Sequence, residues 1–326
     1  MRFSSSTSPA VGDCRVTGRS LLLTLHLALL ALAAGCGSEQ TTTLAPADSN
    51  RFAAHAVGTD TTLELVTWNL RNFASDAGSD EVALVAEAIA GLGADVVALQ
   101  EIAQGVRFDQ LLERLPDWSG YQARSDNFQN LAYVWLDSTV TVRGVRELFP
   151  AEWRAFPRQP LVLEITWRAH DLVLVNNHLK CCGNGVLDDG DEDDEETRRL
   201  AAVTLMTGWV DAEQADAAVV ILGDLNDLIT DDAANNVFAP WLDRPDDFRF
   251  ADQAVASGPA AGWSWGPGRS HLDHLLVTDE LFGALTASGA SCRTLRLDRD
   301  LDGGDFTSKM SDHAPVVLVL PGSALP

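Results

Sequence analysis

The sequence predicts a single α/β domain, and three observations carry that expectation. Short apolar runs bounded by turn residues recur from Thr61 onward, segments of helical period lie between them, and no long linker interrupts the alternation. A chain of 326 residues is long enough for one large domain with its own core.

Residues 63–68 (LELVTW) read as a buried strand. Val82, Val85, Ala86 and Ile89 then recur at helical spacing until Gly91 and Gly93 break the pattern. Residues 95–100 (DVVALQ) form a second strand, and 131–136, 141–147, 161–167 and 171–177 four more, the last two joined by a tight turn. A helix is expected over 197–214, followed by strands at 217–222, 272–277 and 315–320. The domain so outlined spans 61–322, without internal repeats.

Composition is ordinary, with 46% hydrophobic and 21% charged residues, but the net charge of -24 is not. So acidic a surface argues against tight, non-specific binding to polyphosphate backbones. It leaves a metal enzyme open, because a bound cation inverts the field locally. Arg2, Arg15 and Arg19 precede an apolar run at 21–34 (LLLTLHLALLALAA), too short for a membrane span but suited to a signal-peptide core. The run ends in Ala33-Ala34-Gly35-Cys36, which resembles a bacterial lipoprotein processing site. On that reading 1–35 is a signal peptide, Cys36 is lipidated, and 36–60, rich in Ser, Thr, Ala and Pro, is a tether. The plainer alternative is an ordinary signal peptide cut nearby. Removing 1–35 takes away three Arg and Asp13, leaving -26. Export permits disulfides. Beyond Cys36 only Cys181, Cys182 and Cys292 remain, so one bridge, for instance from the adjacent pair to Cys292, would leave a free thiol.

Residues 188–196 (DDGDEDDEE) are acidic at every position but Gly190. A solvated loop is the bland reading and a structural Ca²⁺ site the sharper one. Asp298, Asp300 and Asp302 before Gly303 have the spacing of a calcium loop's start, but Lys309 stands where the closing Glu belongs.

The residues that suit chemistry gather at strand ends. Asn69 follows LELVTW, Glu101 closes DVVALQ, and His178 closes DLVLVNN. Asp224 and Asn226 follow AVVILG, Asp273 sits in HLDHLLV, and Asp312-His313 precede APVVLVL. Any one alone is explained by a turn or a cap. Together they place acids, amides and histidines at the lips of six strands, where open α/β sheets carry their sites. Carboxylate and amide oxygens suit hard cations such as Mg²⁺, and histidines move protons or stabilise anions.

In order, TWNL, LQE, NNHLK, GDLND, SHLDHLLV and SDHAPV resemble the motifs of the endonuclease/exonuclease/phosphatase superfamily, with its deoxyribonuclease I-like fold. The resemblance implies a four-layer sandwich of two packed mixed β-sheets flanked by helices, and phosphate-ester hydrolysis with Mg²⁺, or Mn²⁺ in its place. It implies Glu101 as principal metal ligand, helped by Asn69 and Asp312. Asp224 would position or deprotonate the attacking water, with Asn226 orienting it and contacting the phosphate. His313, held by Asp273, would act as acid/base or electrostatic stabiliser. His178 would bind a non-bridging oxygen, and Arg158, in RQPLVLEI, a further phosphate oxygen.

The substrate stays open at this level. A monomeric exported nuclease acting on nucleic acid is the first reading, attached to the membrane through a lipid anchor on Cys36. A sphingomyelinase-like phospholipid phosphodiesterase is the alternative, with Trp263 and Trp265 as the nearest insertion loop, although their place directly before the Asp273 motif favours packing at the site's rim. A small phosphomonoester or inositol phosphate is a third, and a surface lipoprotein that keeps the fold only to bind is the non-enzymatic reading.

Overall fold

The computed structural model describes residues 50–74, 79–124, 128–266, 268–301 and 305–326. The expected signal peptide, Cys36 and most of the tether therefore lie outside the described residues. The first half of the domain runs β1 (Thr62–Phe73), α1 (Ser79–Leu92), β2 (Val96–Ile102), α2 (Gly105–Leu112), β3 (Trp118–Gln122), β4 (Asn130–Leu136), β5 (Val140–Glu147) and β6 (Leu161–Trp167). The second half runs β7 (His170–His178), α3 (Glu195–Glu213), β8 (Val219–Asp224), β9 (Phe248–Phe250), β10 (Asp273–Thr278), β11 (Ser291–Thr294) and β12 (Val316–Pro321), with short helical turns between the later strands.

The strands form two six-stranded sheets, ordered β11-β12-β1-β2-β4-β3 and β5-β6-β7-β8-β10-β9. Both are mixed: β1/β2 and β7/β8 run parallel, and the other neighbours antiparallel. Side chains alternate across each strand, so each sheet buries both faces. In β1, Leu63 and Leu65 enter the layer between the sheets, while Val66, Trp68 and Leu70 pack under α1. In β8, Val220 and Leu222 meet the same central layer, while Val219 and Ile221 pack with Ala202, Val203, Met206 and Trp209 of α3. Helix, sheet, sheet, helix is thus the only layering that covers all four apolar faces. The expected four-layer sandwich is what the chain forms.

Helix α3 starts where its sequence directs. The Asp194 carboxylate accepts the Thr197 N–H at 2.8 Å, and Glu195 and Glu196 sit at the positive end of the helix. Three strands had no readable pattern. β3 (WSGYQ) is a half-buried edge, β9 has three residues, and β11 (SCRT) is an exposed edge, so none carries a clean alternation. The tether expectation also needs correction at its end: residues 50–60 pack onto the domain, with Phe52 and Val57 in the core under β1. Cys292 lies on β11 and does not pair with Cys181 or Cys182; all three thiols are free.

Candidate active site

The strand parity that builds the central layer also builds the site. Continuing the inward face of β1 past Leu65 gives Thr67 and Asn69. On β7, Leu172 and Leu174 lead to Asn176 and His178; on β8, Val220 and Leu222 lead to Asp224. β10 enters from the same end, so Asp273 precedes the inward Leu275 and Val277. Register then sets His178 beside Asp224, and Asp224 beside Asp273, across three adjacent strands. One end of the central layer therefore turns from apolar to polar. Buried amides mark the boundary: Gln100 donates to Asn176 Oδ1 at 2.8 Å and Thr67 Oγ1 at 3.1 Å, and Asn176 donates to the Leu99 and Ala132 carbonyls across the sheets.

Glu101 breaks this parity. It should share the outward face of Val97 and Leu99, but a φ of 62° and a register shift after Leu99 turn it into the site. Left-handed backbone in a residue other than glycine costs about 1–2 kcal/mol and gathers at functional positions. Asn226, at φ 55°, is a second case. The Glu101 carboxylate accepts the Asn72 N–H at 2.8 Å and the Asn69 amide at 3.1 Å. Asn69 also donates to Asp224 Oδ2 at 2.8 Å, while its own oxygen accepts from the Arg71 N–H. Its amide nitrogen thus holds two carboxylates in place. Asp224 Oδ1 accepts the Asn226 N–H at 3.1 Å, and the Asn226 side chain donates to the Leu179 carbonyl.

His313 Nδ1 donates to the buried Asp273 carboxylate at 2.7 Å, which fixes the tautomer and turns Nε2 toward Asp224 Oδ2, 3.8 Å away. The loop carrying it is pinned by Ser311, whose hydroxyl donates to the Asn69 carbonyl and accepts the His313 N–H, and by the Trp68 indole on the His313 carbonyl. Burial opposes the His313 charge, but Asp273 and then Asp224 outweigh it and push the imidazole up to about 10. Burial raises Asp224 to about 7 against the pull of His313. His178 goes the other way: burial, then Arg158 and His313, hold it well below its usual value, so it is neutral. Its Nε2 lies 3.6 Å from Asp224 and 3.8 Å from Glu101.

These groups open onto a cleft of about 610 Å³, lined among others by Arg71, Glu101, His178, Trp265, Asp312 and His313. Every expected metal or catalytic residue is in or beside it; Arg158, expected to bind a phosphate oxygen, does not line the cleft but acts electrostatically on Glu101 and Asp224. Trp265 lies at the lip, its indole donating to Asp312 Oδ2 at 3.4 Å. Trp265 stands at the rim, where its place before the Asp273 motif put it, whereas Arg71 has no strand-end carboxylate or histidine beside it in the sequence to mark it.

The donor set suits a divalent cation. Glu101 and Asp312 offer partly buried carboxylates to the cleft, and Asp273 Oδ1 is buried without a hydrogen-bond partner. Ligand atoms of Asp224, Asp273 and His313 also converge within 4.8 Å. Hard oxygen donors of this kind match Mg²⁺ or Mn²⁺.

In the other acidic segments ligand atoms of Asp194, Glu195 and Glu196 converge within 4.8 Å, but several of the acids there have partners in the protein. Glu192 and Asp193 pair with Arg154, Asp194 caps α3, and Glu196 pairs with the buried Arg199. Asp298 turns to Arg296 and Asp300 to His55, away from a common centre, and Asp302 lies outside the described residues. His274 has the parity opposite to Asp273 and joins His271 on the buried Asp252 carboxylate, at 2.6 and 3.0 Å, with no opening to the cleft.

A fold of two packed sheets with this acid–imidazole lip defines a phosphoester-hydrolase architecture that works with a divalent metal. The chain belongs to the Endonuclease/Exonuclease/phosphatase family, whose model matches residues 66–313. No curated protein matches it. Among solved structures it is similar to zebrafish (D. rerio) TDP2 complexed with single-strand DNA product, at 16% identity over 80% of this chain and 99% of that one, with a TM-score of 0.59. The human Nocturnin catalytic domain with bound sulfate anion is similar at 16% identity, 80% and 93% coverage and a TM-score of 0.58. A Bacteroides thetaiotaomicron mannosyl-6-phosphatase is similar at 13% identity, 79% and 99% coverage and a TM-score of 0.56. At these identities the likeness is one of fold.

Proposed function

We propose that the protein is an exported, metal-dependent phosphodiesterase that hydrolyses nucleic acid, acts as a monomer and is held at the cell envelope by a lipid on Cys36. One observation carries the catalytic part: Glu101, His178, Asp224 and the Asp273–His313 pair meet on one cleft lip although they come from five separate segments. The apolar run at 21–34 ending before Cys36 supports export and anchoring. The solved complex of TDP2 with DNA product and an indole at the lip support a nucleic-acid substrate, since bases stack on aromatic faces.

Glu101 and Asp312 would hold the ion, with Asn69 fixing Glu101. When bound, a divalent cation supplies Lewis-acid polarisation of a phosphoryl oxygen. Asp224, raised toward neutrality and oriented by Asn69 and Asn226, accepts a proton from the attacking water. His313, charged and fixed by Asp273, presents Nε2–H to the anionic phosphate. Neutral His178 donates to a non-bridging oxygen, and Arg158 adds positive potential.

The test is a substrate panel of DNA, RNA, sphingomyelin and a sugar phosphate, each with Mg²⁺, Mn²⁺, Ca²⁺ or chelator. Nucleotide release that needs Mg²⁺ or Mn²⁺ is expected. Phosphocholine release, or release of inorganic phosphate alone, would replace the nuclease reading; no turnover on any substrate would leave a binding protein.

A further inference from the structure

We propose that Cys181 and Cys182 form a reversible dithiol–disulfide site on the wall of the catalytic cleft, oxidised by low-molecular-weight disulfides. The two thiols lie 3.1 Å apart and both line the cleft, Cys182 being exposed to solvent. Cys182 adopts φ 75° and Gly183 φ 104°, so the chain turns sharply enough to bring neighbouring side chains together. A Cβ on Gly183 would meet the Glu196 carboxylate at 2.3 Å, which ties the turn to α3.

The turn is anchored on both sides. Arg199, buried between Glu196 and Asp227, donates to the Lys180 and Cys182 carbonyls at 2.7 and 2.9 Å. Leu179 donates its N–H to the Asp224 carbonyl at 3.0 Å and accepts the Asn226 side chain at 3.2 Å. The sulfurs therefore sit three and four residues beyond His178, on backbone that also positions Asp224 and Asn226.

The chemistry is thiol–disulfide exchange. The contact with Cys181 pushes the Cys182 thiol up, which leaves Cys181 to attack first. As the thiolate, Cys181 attacks R–S–S–R, forms a mixed disulfide and releases one RS⁻, which takes the proton from Cys182. Cys182 then attacks Cys181 Sγ, closes the Cys181–Cys182 bond and expels a second RS⁻, protonated from water. One external disulfide is reduced to two thiols for each bridge formed. Adjacent Cα atoms are about 3.8 Å apart, below the usual 4.4 Å lower limit for a disulfide, so the ring is strained and easily reduced. That is the property of a reversible site and not of a structural staple.

Control of turnover through this bridge rests on the phosphodiesterase reading; formation of the bridge does not. The full chain, purified with reductant and then freed of it, is incubated with 2-hydroxyethyl disulfide, a neutral probe that the acidic surface does not repel. Free thiols are alkylated, and the tryptic peptide 181–198, which holds both cysteines, is weighed. The expected product is unalkylated and about 2 Da lighter than the dithiol peptide. Cys292 stays alkylated and dithiothreitol restores the starting mass. Turnover of bis(p-nitrophenyl) phosphate should fall on the order of tenfold and return with dithiothreitol, as a shift of under 1 Å at the site can produce. In Cys182→Ser no bridge should form, and Cys181 should stop at the mixed disulfide. A stable single-thiol adduct in the wild type, or no bridge at all, overturns the site; a bridge that leaves turnover unchanged overturns its control of the cleft. If unmodified protein turns over nothing, the peptide mass still decides the bridge, and the phosphodiesterase reading fails separately.

Discussion

Replacing Asp273 by Asn tests the mechanism at its most buried point. The substitution keeps the volume and removes one charge, 2.7 Å from His313 Nδ1. The imidazole is pushed up to about 10 from 6.5 against burial, with Asp273 the largest of three carboxylates responsible. One pKa unit is about 1.4 kcal/mol, so the net shift is worth roughly 5 kcal/mol, and the carboxylates together supply more than that because burial opposes them. Without Asp273 the imidazole falls toward its usual value and loses the partner that fixes its tautomer, so kcat should fall on the order of 10²-fold. That matches the roughly 10²–10⁴-fold range for losing a positioned general acid. The assay is metal-dependent hydrolysis of bis(p-nitrophenyl) phosphate across pH, with thermal unfolding as the check on folding. The loss should grow as pH rises, because the variant's imidazole empties at a lower pH than the wild type's. A folded variant within about threefold of wild type at all pH would remove the Asp273–His313 pair from catalysis.

Glu101→Gln should abolish Mg²⁺-dependent hydrolysis and remove the stabilisation that added Mg²⁺ gives the wild type in thermal unfolding; a retained Mg²⁺ shift would move the ion elsewhere. Glu64 offers a stability test away from the cleft. Burial raises its carboxyl to about 8, above the unfolded 4.5, so its contribution is complete below about 4.5 and lost as pH climbs through 8. Glu64→Gln should therefore flatten the fall in unfolding free energy between pH 4.5 and 8, by at most a few kcal/mol; an unchanged slope in urea titrations would refute it. Salt gives a third. With a charge of -24 the surface repels an anionic polymer, so added NaCl at fixed Mg²⁺ should raise kcat/KM for nucleic acid up to about 0.15 M, opposite to a basic DNA-binding protein. A monotonic decrease from low salt would point to a different substrate.

The core of the fold was legible because β1, β2, β6, β7, β8, β10 and β12 are buried on both faces. They read as continuous apolar runs of strand length, with ends correct to within a few residues. What could not be read was anything whose order comes from its neighbours. β3 and β11 are edge strands specified by pairing with β4 and β12, and β9 is three residues held by β10. Phe52 looked like part of a Thr- and Ala-rich tether because a single aromatic has no period; only the core under β1 explains it.

The site divides along the same line. Asn69, His178, Asp224 and Asp273 were legible because each continues an apolar strand past the point where the central layer becomes polar, and a polar residue there is exceptional. Their convergence needs only parity and register, which period-two alternation fixes. Glu101 is different. Parity alone would send it outward under the helices, where an unpaired carboxylate is prohibitive. The left-handed backbone at Glu101 and the hydrogen bonds from Asn69 and Asn72 reverse that, and neither is visible in DVVALQE. The strain is local, unfavourable by itself, and offset by the hydrogen bonds that hold the carboxylate at the cleft. A chain that only bound a cation here would need the same backbone, so the geometry at Glu101 marks this lip as a functional site, and the Glu101→Gln assay separates turnover from binding.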